Sequence, residues 1–418
     1  MALKLLFVSA FLVAANGLPL KDPLGPTQPK GHKLEYLAAL WRHGDRAPAK
    51  SFTHDLYNES YWDNGYGQLT NYGIEQQRRL GKWVYNRYVQ EFGYLPEEFN
   101  EKLIRIQSTW YNRTRESALY NFKGLYGEKI DYETLKILTI PDNETDVIGL
   151  PYDNCGYAHQ LAKEALKTDE VIQYMNKHKQ WILRLMMATG MEIPTVIDLF
   201  CVEDPIYLEK RKGLKLAPEY EGNYGEIFDI YLEGIKFMNG MDIKPQNGIN
   251  WRYELVKMQA GGLLTRVAND MAAKAFCKFK PDQPYCKEDN VADLKYRVFS
   301  MHDTNVLGIL NSFDFPKVDY NRNDNVELGS SLFFELWNDE EKDQKYVKII
   351  YRRSPEEIYD LSEQISGCKS IGKGLGCSLD DFLRRTDKYL IPSFDKYCVQ
   401  KLPQPGTSET IPQVQFKV

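Results

Sequence analysis

The 418-residue chain has little excess charge of either sign: 53 Lys+Arg stand against 58 Asp+Glu, a formal net charge of −5. A surface that tracks a phosphate backbone needs a basic surplus, so no nucleic-acid partner is expected. Beyond its first residues the sequence has no apolar run approaching the ~18 residues that suggest a membrane span, so no membrane anchor is expected. Histidine is scarce, at six residues. Four of them, His32, His54, His159 and His178, form no ligand-spaced cluster, and neither a metal nor another cofactor is expected. Internal repeats and low-complexity tracts are absent. With 29 Gly, 20 Pro and 43% hydrophobic residues, the composition excludes collagen, coiled coil and global disorder.

What is present begins with a targeting signal. Residues 1–17 (MALKLLFVSAFLVAANG) combine Lys4, an apolar stretch from Leu5 to Ala14, and small residues at Ala15 and Gly17. This reads as a secretory signal peptide, too short to span a bilayer comfortably. A secretory route makes the seven cysteines readable as disulfide material, and their odd number leaves at least one free or bridged to another chain. Sequons at Asn58, Asn112 and Asn143 make glycosylation expected. The polar segment 399–418 reads as a frayed tail.

Leu34 to Trp41 is a nearly continuous apolar run, suited to a strand buried on both faces. Thr70 is placed to cap a helix through Ile74, Leu80, Val84 and Tyr88 that stops near Gly93. Lys102–Gln107 reads as a second strand, residues 116–126 as a helix and Leu135–Ile140 as a third strand. From about 150 to 276 the pattern is helical and poor in strands. Strand patterns return at Tyr296–Met301, Ser331–Trp337 and Tyr346–Tyr351. The expected architecture is α/β: a central mixed, mostly parallel sheet flanked by helices, formed by 18–149 and 277–398, with a smaller helical domain, 150–276, inserted between its halves.

The first strand delivers Arg42-His43-Gly44-Asp45-Arg46-Ala47-Pro48. Open α/β sheets place ligands beyond the carboxyl ends of their strands. Guanidinium forks match the oxygens of phosphate, a neutral imidazole between them can attack phosphorus, and the surrounding positive charge offsets charge that builds in the transition state. Gly44 reads as room for the backbone to approach a ligand. A second pair, His302-Asp303, follows the strand 296–301 and opens a helix, whose N-terminus favours an anion.

These residues resemble the histidine acid phosphatases, in particular their animal prostatic and lysosomal branch, whose signature is Arg-His-Gly-x-Arg-x-Pro. Trp62, Gly65-Tyr66-Gly67-Gln68-Leu69-Thr70, Gly73, Gln76 and Leu80-Gly81 also fit, and the similarity runs from about residue 34 to about 400. The resemblance implies that His43 is the nucleophile, that Asp303 protonates the leaving alcohol and then assists water, and that Arg42, Arg46 and His302 bind phosphate. It implies a monoesterase acting on small phosphate monoesters at acidic pH, with Asp303 protonated at the start, and it implies a homodimer as one possible assembly. His-Asp rather than His-Ala-Glu separates the chain from multiple-position inositol-polyphosphate phosphatases. With only Lys50 and His54 in the loop 49–63, a phytase-like polyanion pocket is weakly supported.

One position departs from the family pattern. Where the family shows Arg-Ser-Thr-x-x-x-Arg-Thr, this chain has Gln107-Ser108-Thr109-Trp110-Tyr111-Asn112-Arg113-Thr114. On this reading Gln107 replaces a phosphate-binding arginine. Arg105, on the same strand face, becomes a candidate to compensate, and Arg113 reads as structural. Losing one charge-assisted contact costs about 1.5–3 kcal/mol, which makes a catalytically weakened, phospho-ligand-binding paralogue the rival expectation. The resemblance also implies Cys155–Cys398 and Cys368–Cys377. Cys277 and Cys286 are extra and close in sequence and are expected to pair, leaving Cys201, whose usual partner position near Ser330-Ser331 has no cysteine. The destination is expected to be secreted or lysosomal.

Overall fold

A computed structural model describes residues 25–150, 152, 154–286 and 291–402. The segment read as a signal peptide and residues 403–418 of the tail lie outside them. The first strand, β1 (His32–Arg42), is followed by α1 (Asn71–Val84), β2 (Ile104–Ser108), α2 (Asn112–Tyr126), α3 (Tyr132–Leu135) and the two-residue β3 (Leu138–Thr139). Helices α4 (Gly156–Ala165), α5 (Asp169–Lys177), α6 (Lys179–Thr189), α7 (Val196–Lys212), α8 (Pro218–Glu221), α9 (Tyr224–Met238) and α10 (Trp251–Phe276) come next. Then β4 (Tyr296–Met301), α11 (Asp303–Ser312), β5 (Ser331–Asp339), β6 (Gln344–Arg352), β7 (Ile358–Asp360) and β8 (Cys377–Ser378) complete the sheet.

The strand order is β3-β2-β4-β1-β5-β6-β7, with β8 on β6. β3, β2, β4 and β1 run parallel, whereas β5 pairs antiparallel with β1 and begins an antiparallel half. Parallel strands need long crossovers, and the longest one here, between β3 and β4, carries α4 to α10. Its effect is to align the ends of β1 and β4: Arg42 lies opposite Met301, and the His43 amide donates to the Met301 carbonyl at 3.0 Å. Two motifs far apart in sequence thus leave neighbouring strands at the same edge.

β1 is buried on both faces, as its composition required. Tyr36, Ala38 and Leu40 enter a core shared with α10 and α11, and Leu37, Ala39 and Trp41 enter a core shared with α1 and α2. A third core lies within the helical segment. α10 contributes to two cores, with Val256 and Leu263 toward the sheet and Leu255 and Met258 toward the other helices. Disulfides join Cys155–Cys398, Cys277–Cys286 and Cys368–Cys377, and Cys201 is free. Asn58, Asn112 and Asn143 are all exposed. No helix among the described residues is long and apolar enough to cross a membrane.

Candidate active site

The ends of β1, β2 and β4 converge on one polar pocket. His43 and His302 face each other edge-on, with ring centroids 5.6 Å apart. His43 Nδ1 is 2.9 Å from the carbonyl of Gly44. A carbonyl only accepts, so Nδ1 carries the proton and Nε2 keeps its lone pair toward the pocket. Burial, with the charges of Arg113, Arg46 and Arg42 and with His302 added, holds the His43 pKa well below the ordinary imidazole value. The shift favours the neutral ring, the form a nucleophile needs. His302 Nε2 lies 3.0 Å from Thr109 Oγ1, and burial, followed by Arg113, depresses its pKa as well.

Local packing explains the glycine of the Arg-His-Gly motif. A Cβ on Gly44 would stand 2.4 Å from the Gly73 carbonyl oxygen, and one on Gly73 would stand 2.0 Å from the Asp45 carbonyl oxygen. Gly44 therefore serves the close approach of its loop to the first turn of α1, a packing role not read from the sequence. The loop is held further by Thr70, whose hydroxyl caps α1 at Gly73 and donates to Asp45 Oδ2 at 2.6 Å. It is also clamped to α7 in both directions. Arg46 binds Asp204 through two nitrogens at 3.0 and 2.8 Å, and Arg211 Nε donates to Asp45 Oδ1 at 2.9 Å. Asp45, Asp204 and Arg211 are not legible from the motif, because the contact depends on how the helical segment docks.

The arginine set differs from expectation. Gln107 is buried within the sheet between Leu138 and Phe299. Arg105 is exposed and pairs with Arg297, three positions back from the end of β2, so it is not placed to compensate for Gln107. The cation that acts most strongly on both histidines is Arg113, read from sequence as structural. Its guanidinium lies 4.2 Å from the Tyr111 ring, whose edge in turn packs on His302. Burial and the neighbouring Arg46 pull the Arg113 pKa down to about 10. A signal for it did exist. Arg113 lies in the first turn of α2, where the helix dipole disfavours a cation unless an anion is shared. The buried Nε groups of Arg42, Arg46 and Arg113 all lack a protein acceptor. Three unpartnered donors around two histidines fit the oxygens of a phosphate group.

Asp303 begins α11 and pairs with Arg42 Nη2 at 2.8 Å, while its Oδ1 accepts from the Thr304 amide and its Oδ2 from Asn325 Nδ2 at 3.2 Å. Burial opposes ionisation, but Arg42 and the Asn325 hydrogen bond outweigh it and bring the Asp303 pKa down to about 2. The carboxyl beside Arg42 is therefore ionised, whereas the sequence reading has it start protonated. Beside it opens a cavity of about 450 Å³ lined by residues of the β1 loop, α7, α9, α11 and the segment 324–327. Among the described residues, no three His, Cys, Asp or Glu side chains are grouped to hold a metal ion.

Comparison with known proteins bears on this arrangement. A family model described as the histidine phosphatase superfamily, branch 2, matches residues 33–352. The chain is 25% identical over 394 residues to lysosomal acid phosphatase of Pongo abelii, covering 92% of this chain and 84% of that protein. It is 25% identical over 388 residues to prostatic acid phosphatase of Homo sapiens, covering 90% and 91%. The phytase of Hafnia alvei in its apo form superposes with a TM-score of 0.62 at 17% identity, covering 88% of this chain and 99% of that one, a likeness of fold.

Proposed function

The chain belongs to branch 2 of the histidine phosphatase superfamily, and on that premise we propose that it is an acid phosphatase that hydrolyses small phosphate monoesters through a phosphohistidine on His43. The observation that carries this reading is the neutral His43, its Nε2 lone pair free, set among three arginines with unpartnered Nε donors. In the first step Nε2 forms a bond to phosphorus while the bond to the alcohol oxygen breaks, and that oxygen takes a proton. In the second, water attacks phosphorus, its proton passes to Asp303, and the electron pair of the broken P–N bond returns to Nε2.

The ionised Asp303 changes the source of the first proton. A phosphate monoester loses its second proton near pH 6, so at acidic pH the ester itself arrives protonated. Its oxygens compete with Asp303 for Arg42. A carboxylate that loses its cation and gains an anionic neighbour rises in pKa. Asp303 then accepts the ester's proton and relays it to the leaving oxygen. The alkaline limb of kcat/KM accordingly tracks the second ionisation of the substrate.

The rival reading, a weakened paralogue, rested on a missing arginine, and Arg113 removes that motive. Three disulfides and three exposed sequons support passage through the secretory pathway, to a secreted or lysosomal destination. The test is hydrolysis of p-nitrophenyl phosphate and phenyl phosphate across pH 3–8 beside His43→Ala. The reading expects acidic turnover, abolished in the variant, with alkaline limbs displaced in the order of the two substrates' second ionisations. Turnover by His43→Ala equal to wild type refutes it.

A further inference from the structure

The cavity beside Asp303 has a chemistry of its own. Four rings line it in a continuous chain. Phe200 meets Tyr231 at 4.9 Å between centroids, Tyr231 meets Phe228 at 5.9 Å, and Phe228 meets Tyr207 at 6.2 Å. Five carboxylates also line it, and four are accounted for. Asp204 binds Arg46, Asp303 binds Arg42, and Asp324 and Glu327 both bind Arg353. The fifth, Glu203 on α7, is only 4% exposed, and its Oε1 has no hydrogen-bond partner.

The amide side chains repeat this pattern. Asn239 commits its Nδ2 to the Ile235 carbonyl, and Asn325 commits its Nδ2 to Tyr231 and Asp303. Those donations fix the orientation of both amides and leave both Oδ1 atoms buried without a donor. Apart from the Arg42 and Arg46 Nε donors that face the phosphate site, the unsatisfied side-chain groups of the cavity lining, on Glu203, Asn239, Gln259 and Asn325, are acceptors. A buried acceptor without a donor is costly, so this part of the cavity suits a guest that brings donors. Aromatic faces around a carboxylate favour a cationic donor over a neutral one.

We infer that the cavity holds the alcohol portion of the substrate, and that this alcohol combines an apolar or aromatic body with a protonated amine that Glu203 receives. The inference rests on the phosphatase reading and adds a substrate class to it: phosphate monoesters of amine-bearing alcohols. Burial raises the Glu203 pKa, with Asp204 adding to that and Arg42 opposing it. An ammonium placed beside the carboxyl acts in the lowering direction.

The test compares two near-isosteric esters with similar leaving groups, 4-(2-aminoethyl)phenyl phosphate and 4-propylphenyl phosphate. Wild type is expected to favour the amine ester in kcat/KM by about ten-fold or more, the range for one charge-assisted contact. Glu203→Gln is expected to bring the ratio close to one. Equal rates in wild type, a preference for the propyl ester, or a preference for the amine that survives in Glu203→Gln would overturn the inference while leaving the phosphatase reading intact. Turnover of neither ester would count against the phosphatase reading instead. The cavity is then tested by calorimetric titration with free tyramine and 4-propylphenol. Tighter tyramine binding that depends on Glu203 supports the inference, and equal binding overturns it.

Discussion

On the proposed reading, phosphate recognition depends on which guanidinium groups stand around His43, and Arg42, Arg46 and Arg113 all act on that ring. Arg113→Ala is expected to lower kcat/KM by ten- to more than a hundred-fold, the range for losing a charge-assisted contact to the transition state. Gln107→Arg is expected to give no gain and to lose stability, since it places a charge in a strand position buried between Leu138 and Phe299. Steady-state kinetics and thermal melts of both variants check this, and a large gain from Gln107→Arg would return the deficit to position 107. At this scale chemistry and strand context coincided at His43, Arg42, Arg46, His302 and Asp303, and the structure brings these residues to one place. The sequence did not single out Arg113, the cation that acts most strongly on both histidines. It also could not show that Arg42 pairs with Asp303 and holds it ionised.

Among the elements, the helical segment does more than cover the sheet. α7 supplies Asp204 to Arg46, Arg211 to Asp45 and Glu203 to the cavity. Its position depends on α10, which is shared between cores, and on the Cys155–Cys398 disulfide, which ties the start of the segment to the end of the described chain across a separation of 243 residues. A crosslink closing so long a loop constrains the unfolded chain strongly, and removing a native disulfide typically costs about 2–5 kcal/mol. Cys155→Ser/Cys398→Ser is therefore expected to lose stability of that order in urea, and an unchanged midpoint would show that the helices dock without it. Element types were readable from periodicity, including β1, α1, β4 and the entry into α11. Their limits were not. The third strand shrank to Leu138–Thr139 behind α3, and the second begins at Ile104 and not at Lys102. Both limits are set by tertiary packing, to which local pattern is blind.

Across the whole molecule, buried titratable groups couple stability to pH, and Glu209 biases it toward acid. Glu209 on α7 is buried, and burial, with Asp55 adding to it, raises its pKa to about 8 from an ordinary value of 4.5. A carboxyl whose folded pKa is raised favours folding while it is protonated. Its contribution is full below about pH 4.5 and is lost as pH rises toward 8. Glu203 is shifted in the same direction. His43 and His302, held well below the ordinary imidazole value of 6.5, act in the opposite sense as pH rises toward that value, so the Glu209 part is read as a difference: Glu209→Gln is expected to gain in melting temperature relative to wild type on going from pH 5 to pH 8. The same pH dependence in both proteins would contradict it. Composition could indicate a secretory, disulfide-bonded α/β protein, but not this bias, because it depends on which few of 58 acidic residues the fold buries. The central claim remains chemical: His43 takes the phosphoryl group. The most direct measurement is a rapid quench of the protein with labelled p-nitrophenyl phosphate under alkaline denaturing conditions, followed by peptide mass mapping. The account predicts an acid-labile phosphoryl group on the peptide containing His43, absent from His43→Ala. Turnover without any trapped phosphohistidine, or a label on another residue, would contradict it.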